Sequence, residues 1–178
     1  WAFEVAQPET LDETFSSRLE AAGADVSVVA AYGSIIPSRI LRIPRLGTVG
    51  LHPSLLPRYR GASPLQSAIL AGDERTGVTL YLLDEKADHG PVISKSEISL
   101  SPSETYLSLL EELARLAGEL IIKTLPDILG GRITPQPQAE TDASYTKKFR
   151  AEDGFIDIHQ LKAAIRDGSP RAANVIDR

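Results

Sequence analysis

Residues 25–52 hold two apolar runs, Asp25-Val-Ser-Val-Val-Ala-Ala31 and Leu46-Gly-Thr-Val-Gly-Leu-His52, with a turn at Tyr32-Gly33 and a Pro37-led stretch between them. The first run is short, β-branched and almost continuously apolar, the pattern of a strand covered on both faces. Pro37 suits the first position of a short helix through Leu41, because the N–H it lacks would have no partner inside the helix. Strand, helix, strand is a βαβ unit, which sets two parallel strands side by side. The stretch therefore predicts an α/β fold built on a mostly parallel sheet flanked by helices.

The segments on either side agree with this frame. Upstream, Leu11, Phe15, Leu19 and Ala22 share one helical face between Pro8 and Ala22, and Gly23 ends it. Downstream, a loop from Pro53 to Ser63 rich in Pro, Gly and Arg looks irregular, and Ser63-Pro64 then starts a helix to about Leu70. Thr76 to Asp84 reads as a third strand, and Pro91 to Leu100 as a strand at the sheet edge, antiparallel to the third. Ser103 is placed to cap a long helix from Glu104 to about Leu129, with Leu107, Leu110, Leu113, Leu116 or Ala117, Leu120 and Ile121 inward; Gly130-Gly131 stops it. Residues 132–146 read as an extended connection, and a last helix is expected from Ile158 to about Arg166.

Composition narrows the chemistry. The chain has 178 residues, is 42% hydrophobic and 24% charged, and contains no Cys. That is an ordinary globular composition, and it excludes disulfides, thiolate metal sites and cysteine nucleophiles. With only His52, His89 and His159, no metal site is expected. The longest apolar runs, Val28–Ala31 and Leu80–Leu83, are far too short for a membrane span. The chain has no Met, so it is expected to be a piece of a longer protein lacking both ends, including opening strands of the sheet. The net charge is −5, yet Val26 to Gly72 holds no Asp or Glu and carries Arg39, Arg42, Arg45, Arg58 and Arg60. This +5 window is a candidate surface for a polyanion.

Reactive groups converge on one edge of the sheet. His52 ends the second strand, and ligands collect at strand ends in open α/β sheets. The following loop, Pro53-Ser-Leu-Leu-Pro-Arg-Tyr-Arg-Gly61, is stiffened by two prolines, and Asp88 lies in the turn after the third strand. A carboxylate beside an imidazole orients it and stabilises its charged form, which suits proton transfer near neutral pH. With no activated Ser, Cys or Lys in view, direct transfer between two bound substrates fits better than a covalent intermediate. His89 reads as a turn residue beside Gly90, and Lys147 and Lys148 as a solvated pair.

The segment Leu51-His-Pro-Ser-Leu-Leu-Pro-Arg-Tyr-Arg-Gly-Ala-Ser-Pro-Leu-Gln66, with Gly72-Asp73, Thr76-Gly-Val-Thr79 and Asp88-His-Gly-Pro91, resembles the formyltransferases that use 10-formyltetrahydrofolate. The Arg-Tyr-Arg-Gly-Ala-Ser-Pro-Leu-Gln form, Ser144-Tyr-Thr-Lys-Lys148 and Gly154-Phe-Ile-Asp157 are most similar to the branch acting on methionyl initiator tRNA in translation initiation. The resemblance runs from about Ala24 almost to the end. It implies a Rossmann-like formyltransferase domain over residues 1–150, and over 151–178 a linker entering a tRNA-binding domain. It implies His52 and Asp88 as catalytic residues, Ser54, Leu55, Leu56 and Pro57 as the folate-contacting loop, and no metal. Arg39, Arg42, Arg58 and Arg60 would then meet tRNA phosphates. A cytoplasmic monomer that does not bind membranes is expected. Glycinamide ribonucleotide and nucleotide-sugar formyltransferases share the same core and form the alternative, together with a catalytically impaired folate- or RNA-binding remnant.

One position departs from the family, which has Asn two residues before the histidine; this chain has Gly50. Residues i and i+2 of a strand share a face, so such an amide would enter the site of His52. Losing one oxyanion donor typically costs about 10²–10³ in turnover. On the sequence alone, Gly50→Asn is expected to raise the rate strongly, measured as formyl transfer; an unchanged rate would mean that another group polarises the carbonyl.

Overall fold

A computed structural model of the chain describes residues 4–155 and 157–167. The elements run α1 (Glu13–Ala22), β1 (Ser27–Ala30), α2 (Ser38–Leu41), β2 (Thr48–His52), β3 (Arg60–Gly61), α3 (Pro64–Ala71), β4 (Arg75–Leu82), β5 (Val92–Ser99), α4 (Tyr106–Leu129), β6 (Tyr145–Thr146) and α5 (Ile158–Asp167). Ile156 of the Gly154–Asp157 motif, and the end of the expected linker at 168–178, lie outside the described residues.

The α/β architecture is present, and the βαβ unit forms where residues 25–52 place it. β1 and β2 pair in parallel, with Ser27 opposite Thr48 and Ala30 opposite Leu51. Among the described strands the sheet is mixed, in the order β1-β2-β4-β5, because β4 runs antiparallel to β2 and β5 antiparallel to β4. β2 is thus an inner strand, and its burial suits the apolar run that built it: Val49 is fully buried.

The core lies between this sheet and α4, where Val49, Val78 and Leu80 meet Leu65 of α3 and Leu109, Leu113, Leu120 and Ile128 of α4. α4 starts later than Ser103 suggests. Thr105 is the N-cap, its hydroxyl accepting from the Ser108 N–H, while the Ser108 hydroxyl accepts from the Thr105 N–H. The inward stripe is shifted in phase at its start. Leu109 is fully buried, whereas Leu107 and Leu110 are 68% and 41% exposed. The run Leu107, Leu110, Leu113 has helical spacing too, and only the sheet's position selects Leu109 over its neighbours.

The loop after β2 and the segment after α4 are more ordered than their composition suggests. Arg60–Gly61 pairs in parallel with Tyr145–Thr146, and Gln136 bridges to Val92. Residues 132–146 therefore return across the sheet edge to brace the loop.

Leu109→Ala is expected to lower unfolding stability by about 3 kcal/mol, since a buried leucine leaves a cavity. Leu107→Ala is expected to stay within about 0.5 kcal/mol of the parent. Urea denaturation of both variants checks the assignment, and equal losses would contradict it.

Candidate active site

His52 is buried, with only 5% of its surface exposed at the end of β2. Opposite it on β4 stands Thr79, whose hydroxyl donates to the Ser54 carbonyl (2.7 Å) and accepts from the Leu56 N–H (3.1 Å). This pins the start of the loop. The Ser54 hydroxyl donates to the Arg58 carbonyl at 2.6 Å, and the Lys95 ammonium donates to the Leu56 carbonyl. A cis Leu56–Pro57 bond and a left-handed Tyr59 (φ 60°) turn the chain back toward the strand. The Tyr59 carbonyl then lies 2.9 Å from His52 Nε2. A carbonyl can only accept, so Nε2 carries the proton and Nδ1 keeps its lone pair.

Nδ1 faces Asp88 Oδ1 at 3.4 Å. The Asp88 carboxylate is held by two other donors: the Gly61 N–H on Oδ2 and the Tyr81 hydroxyl on Oδ1, both at 2.7 Å. Gly61 has φ +106°, a backbone state that favours glycine, and it is this residue whose N–H reaches Asp88. Asp88 itself is left-handed, with φ 52°. Its carbonyl and that of Gly90 accept from the Gln138 amide at 3.0 and 2.7 Å. Burial pushes the His52 pKa below 6.5, partly offset by the Asp88 charge and the Tyr59 hydrogen bond. Near neutral pH the imidazole is therefore an uncharged base with a carboxylate beside it.

The space at Gly50 is filled. A Cβ there would lie 2.6 Å from Tyr81 Cε1 and 2.4 Å from Leu83 Cδ1. An Asn side chain there would have to displace the Tyr81 ring and the Leu83 side chain.

Leu83 also lines a cavity of about 570 Å³ with Ser38, Leu41, Arg42, Thr48 and Asp84 among its walls. The volume is in the usual range for a small-molecule site. Ser54, Leu55, Leu56 and Pro57 are not among its lining residues. Ser54 and Leu56 are fully buried, whereas Leu55 and Pro57 between and after them are partly exposed. The strand-end residues 82–86 that line the cavity were not singled out by sequence; their one signal is the polar Asp84-Glu85-Lys86 turn after an apolar strand.

The arginine window is free of acids along the chain but not in space. Arg42 pairs with Glu85 (3.1 Å), Arg45 with Asp25 (2.9 Å) and Arg58 with Asp73 (3.2 Å). Arg39 donates to the Leu11 carbonyl and lies 3.9 Å from Glu13. The side chains of Arg39, Arg42 and Arg58 remain at least half exposed. Arg60 does not suit the role expected of it. Its side chain is fully buried, bonded to Gln138, Glu140 and the Tyr145 hydroxyl, and so closed to a phosphate. His89 is more than a turn residue: it contacts Asp84 at 2.6 Å and Glu140 at 3.4 Å, tying the turn to the returning segment. Lys147 pairs with Asp153.

Comparison with known proteins places this geometry. The chain is 42% identical over 170 residues to the methionyl-tRNA formyltransferase of Halorhodospira halophila, covering 93% of this chain and 55% of that protein. It is 46% identical over 154 residues to that of Chloroflexus aurantiacus, covering 86% and 50%. The chain thus spans about half the length of the curated relatives it matches. Among solved structures it is similar to the formyltransferase PseJ of Anoxybacillus kamchatkensis, in complex with a UDP-formamido sugar and tetrahydrofolate, with 25% identity over 85% of this chain and 76% of that one (TM-score 0.65). It shares its fold with HypX of Aquifex aeolicus in complex with tetrahydrofolic acid, at 21% identity over 91% of this chain and 26% of that one (TM-score 0.74). The formyl transferase family model matches residues 3–125, more than half of the chain and including His52 and Asp88, and the chain belongs to that family.

Proposed function

We propose that this chain is the catalytic part, over residues 1–150, of an enzyme that moves a formyl group from 10-formyltetrahydrofolate to the amino group of methionyl initiator tRNA. Residues 151–178 would lead toward a tRNA-binding part, and the protein would act as a cytoplasmic monomer in translation initiation. The observation that carries the reading is the uncharged His52 base at the end of an inner strand, beside a carboxylate fixed by two donors. The names of the relatives at 42–46% identity support the choice of acceptor.

The chemistry follows from the protonation states. The bound folate would present its formyl carbon toward His52. The acceptor amine attacks that carbon, a C–N bond forms, and the carbonyl becomes an oxyanion. The proton lost by the amine passes to His52 Nδ1, where Asp88 stabilises the imidazolium. The bond between the formyl carbon and the folate nitrogen then breaks, and the proton is returned to that nitrogen. No covalent enzyme intermediate is required. Arg39, Arg42 and Arg58 are the exposed cations that would exchange their carboxylate partners for tRNA phosphates, a change that costs little because surface ion pairs are weak.

His52→Asn and Asp88→Asn are each expected to lower formyl transfer to methionyl-tRNA by about 10²–10⁴-fold, the usual worth of a positioned acid or base. The parent and both variants should be assayed against methionyl-tRNA, glycinamide ribonucleotide and a nucleotide-sugar amine. Transfer only to the sugar amine, the acceptor class of the PseJ complex, would replace the acceptor named here.

Because burial lowers the His52 pKa, the active base form is lost only when pH falls below 6.5, and the acid limb of the rate profile should lie below that value. The same shift acts on stability. The unfolded chain binds a proton at about 6.5 that the folded chain refuses, so folding stability is fully present above that pH and declines as pH falls to the lower folded value. Melting temperature measured from pH 8 to pH 5 should show this decline, and His52→Asn should flatten it.

A further inference from the structure

Gly50 and Tyr81 face each other directly across the β2–β4 pair. The Tyr81 ring, only 6% exposed, lies so close over Gly50 that any side chain there would overlap it: a Cβ would sit 2.6 Å from Cε1 and 2.8 Å from Cζ. From this position the ring carries its hydroxyl to Asp88 Oδ1 at 2.7 Å. We propose that Tyr81 is the positioning residue of this site, holding the Asp88 carboxylate in line with His52, and that Gly50 is the vacancy that admits it. The inference rests on the formyl-transfer reading of His52 and Asp88.

Three observations support it. With the Gly61 N–H on Oδ2 and Tyr81 on Oδ1, both carboxylate oxygens are fixed, and Oδ1 is presented to His52 Nδ1 at 3.4 Å. Asp88 sits at φ 52°, a conformation a non-glycine residue keeps only where its surroundings over-determine it. Burial and the neighbouring Asp88 charge raise the Tyr81 pKa far above its usual range, so the phenol stays a donor at every pH at which the enzyme works. An amide at position 50 and this ring exclude each other, so the glycine is one half of a matched pair rather than a lost function.

The test compares Tyr81→Phe, Gly50→Ala and the double variant with the parent in the full chain. Three readouts are taken: kcat and KM for 10-formyltetrahydrofolate, melting temperature, and the NMR titration of the His52 imidazole, assigned among three histidines with His52→Asn. Tyr81→Phe is expected to lower kcat by about 10- to 100-fold, the worth of a hydrogen bond to a charged group. KM should stay within about twofold, while the melting temperature falls modestly because the Asp88 carboxylate loses one of its two donors. The His52 titration should move further down, because the Asp88 charge that raises it is no longer held in place. Gly50→Ala should reproduce these effects by displacing the ring, and the double variant should be no worse than Tyr81→Phe. Parent-like kcat and titration in Tyr81→Phe overturn the proposal, as does a loss of kcat that tracks a lower melting temperature with the titration unmoved. Losses that add in the double variant overturn the part given to Gly50. A parent that does not formylate methionyl-tRNA defeats the functional reading instead, and the His52 titration still decides the role of Tyr81.

Discussion

A carboxylate held away from bulk water must have its oxygens satisfied, and the site is organised by how Asp88 meets that demand. Its side chain is only 18% exposed and draws one donor from the loop after β2, through Gly61, and another from β4, through Tyr81. A third contact comes from β2 itself, through His52. The carboxylate therefore ties the end of one strand, the loop beyond it and the adjacent strand into one arrangement. Removing any of the donors would leave a charge poorly compensated, which costs more than the hydrogen bond itself gains.

The same logic explains the segment after α4. Arg60 is wholly buried within a loop, an expensive place for a guanidinium unless each donor is matched. Gln138, Glu140 and Tyr145 match it, and Gln138 uses its amide to hold the carbonyls of Asp88 and Gly90. A cation that looks like a ligand group in the sequence is in the fold a strut, linking the loop that bounds His52 to the turn that carries Asp88. His89 adds a second tie through Asp84 and Glu140. The reactive pair is rigid because residues some eighty positions apart are paired across it.

The readings that held rest on signals carried by neighbours in sequence. The β-branched run at Val26–Val29, the turn glycines at Gly23 and Gly72, and His52 at a strand end are local features, and the fold honours them. The readings that shifted depend on distance in space. Leu107 and Leu109 are both leucines on one helix, and only the sheet beneath decides which is covered. The acid-free arginine window lost its isolation once Asp25, Asp73 and Glu85 folded against it.

Gly50 shows where this division falls. From the sequence, an absent side chain two residues before His52 reads as a deficit, because strand periodicity places both positions on one face. Periodicity cannot say what enters the vacancy from the next strand; that depends on the register of β4 against β2, which sets Tyr81 opposite Gly50. The α/β frame, the βαβ unit, the strand-end histidine and the family's motif are legible in residues close along the chain. The burial of Arg60, the cavity lined by Leu83 and the phenol over Gly50 arise only on folding, because burial and close approach belong to pairs of residues far apart along the chain.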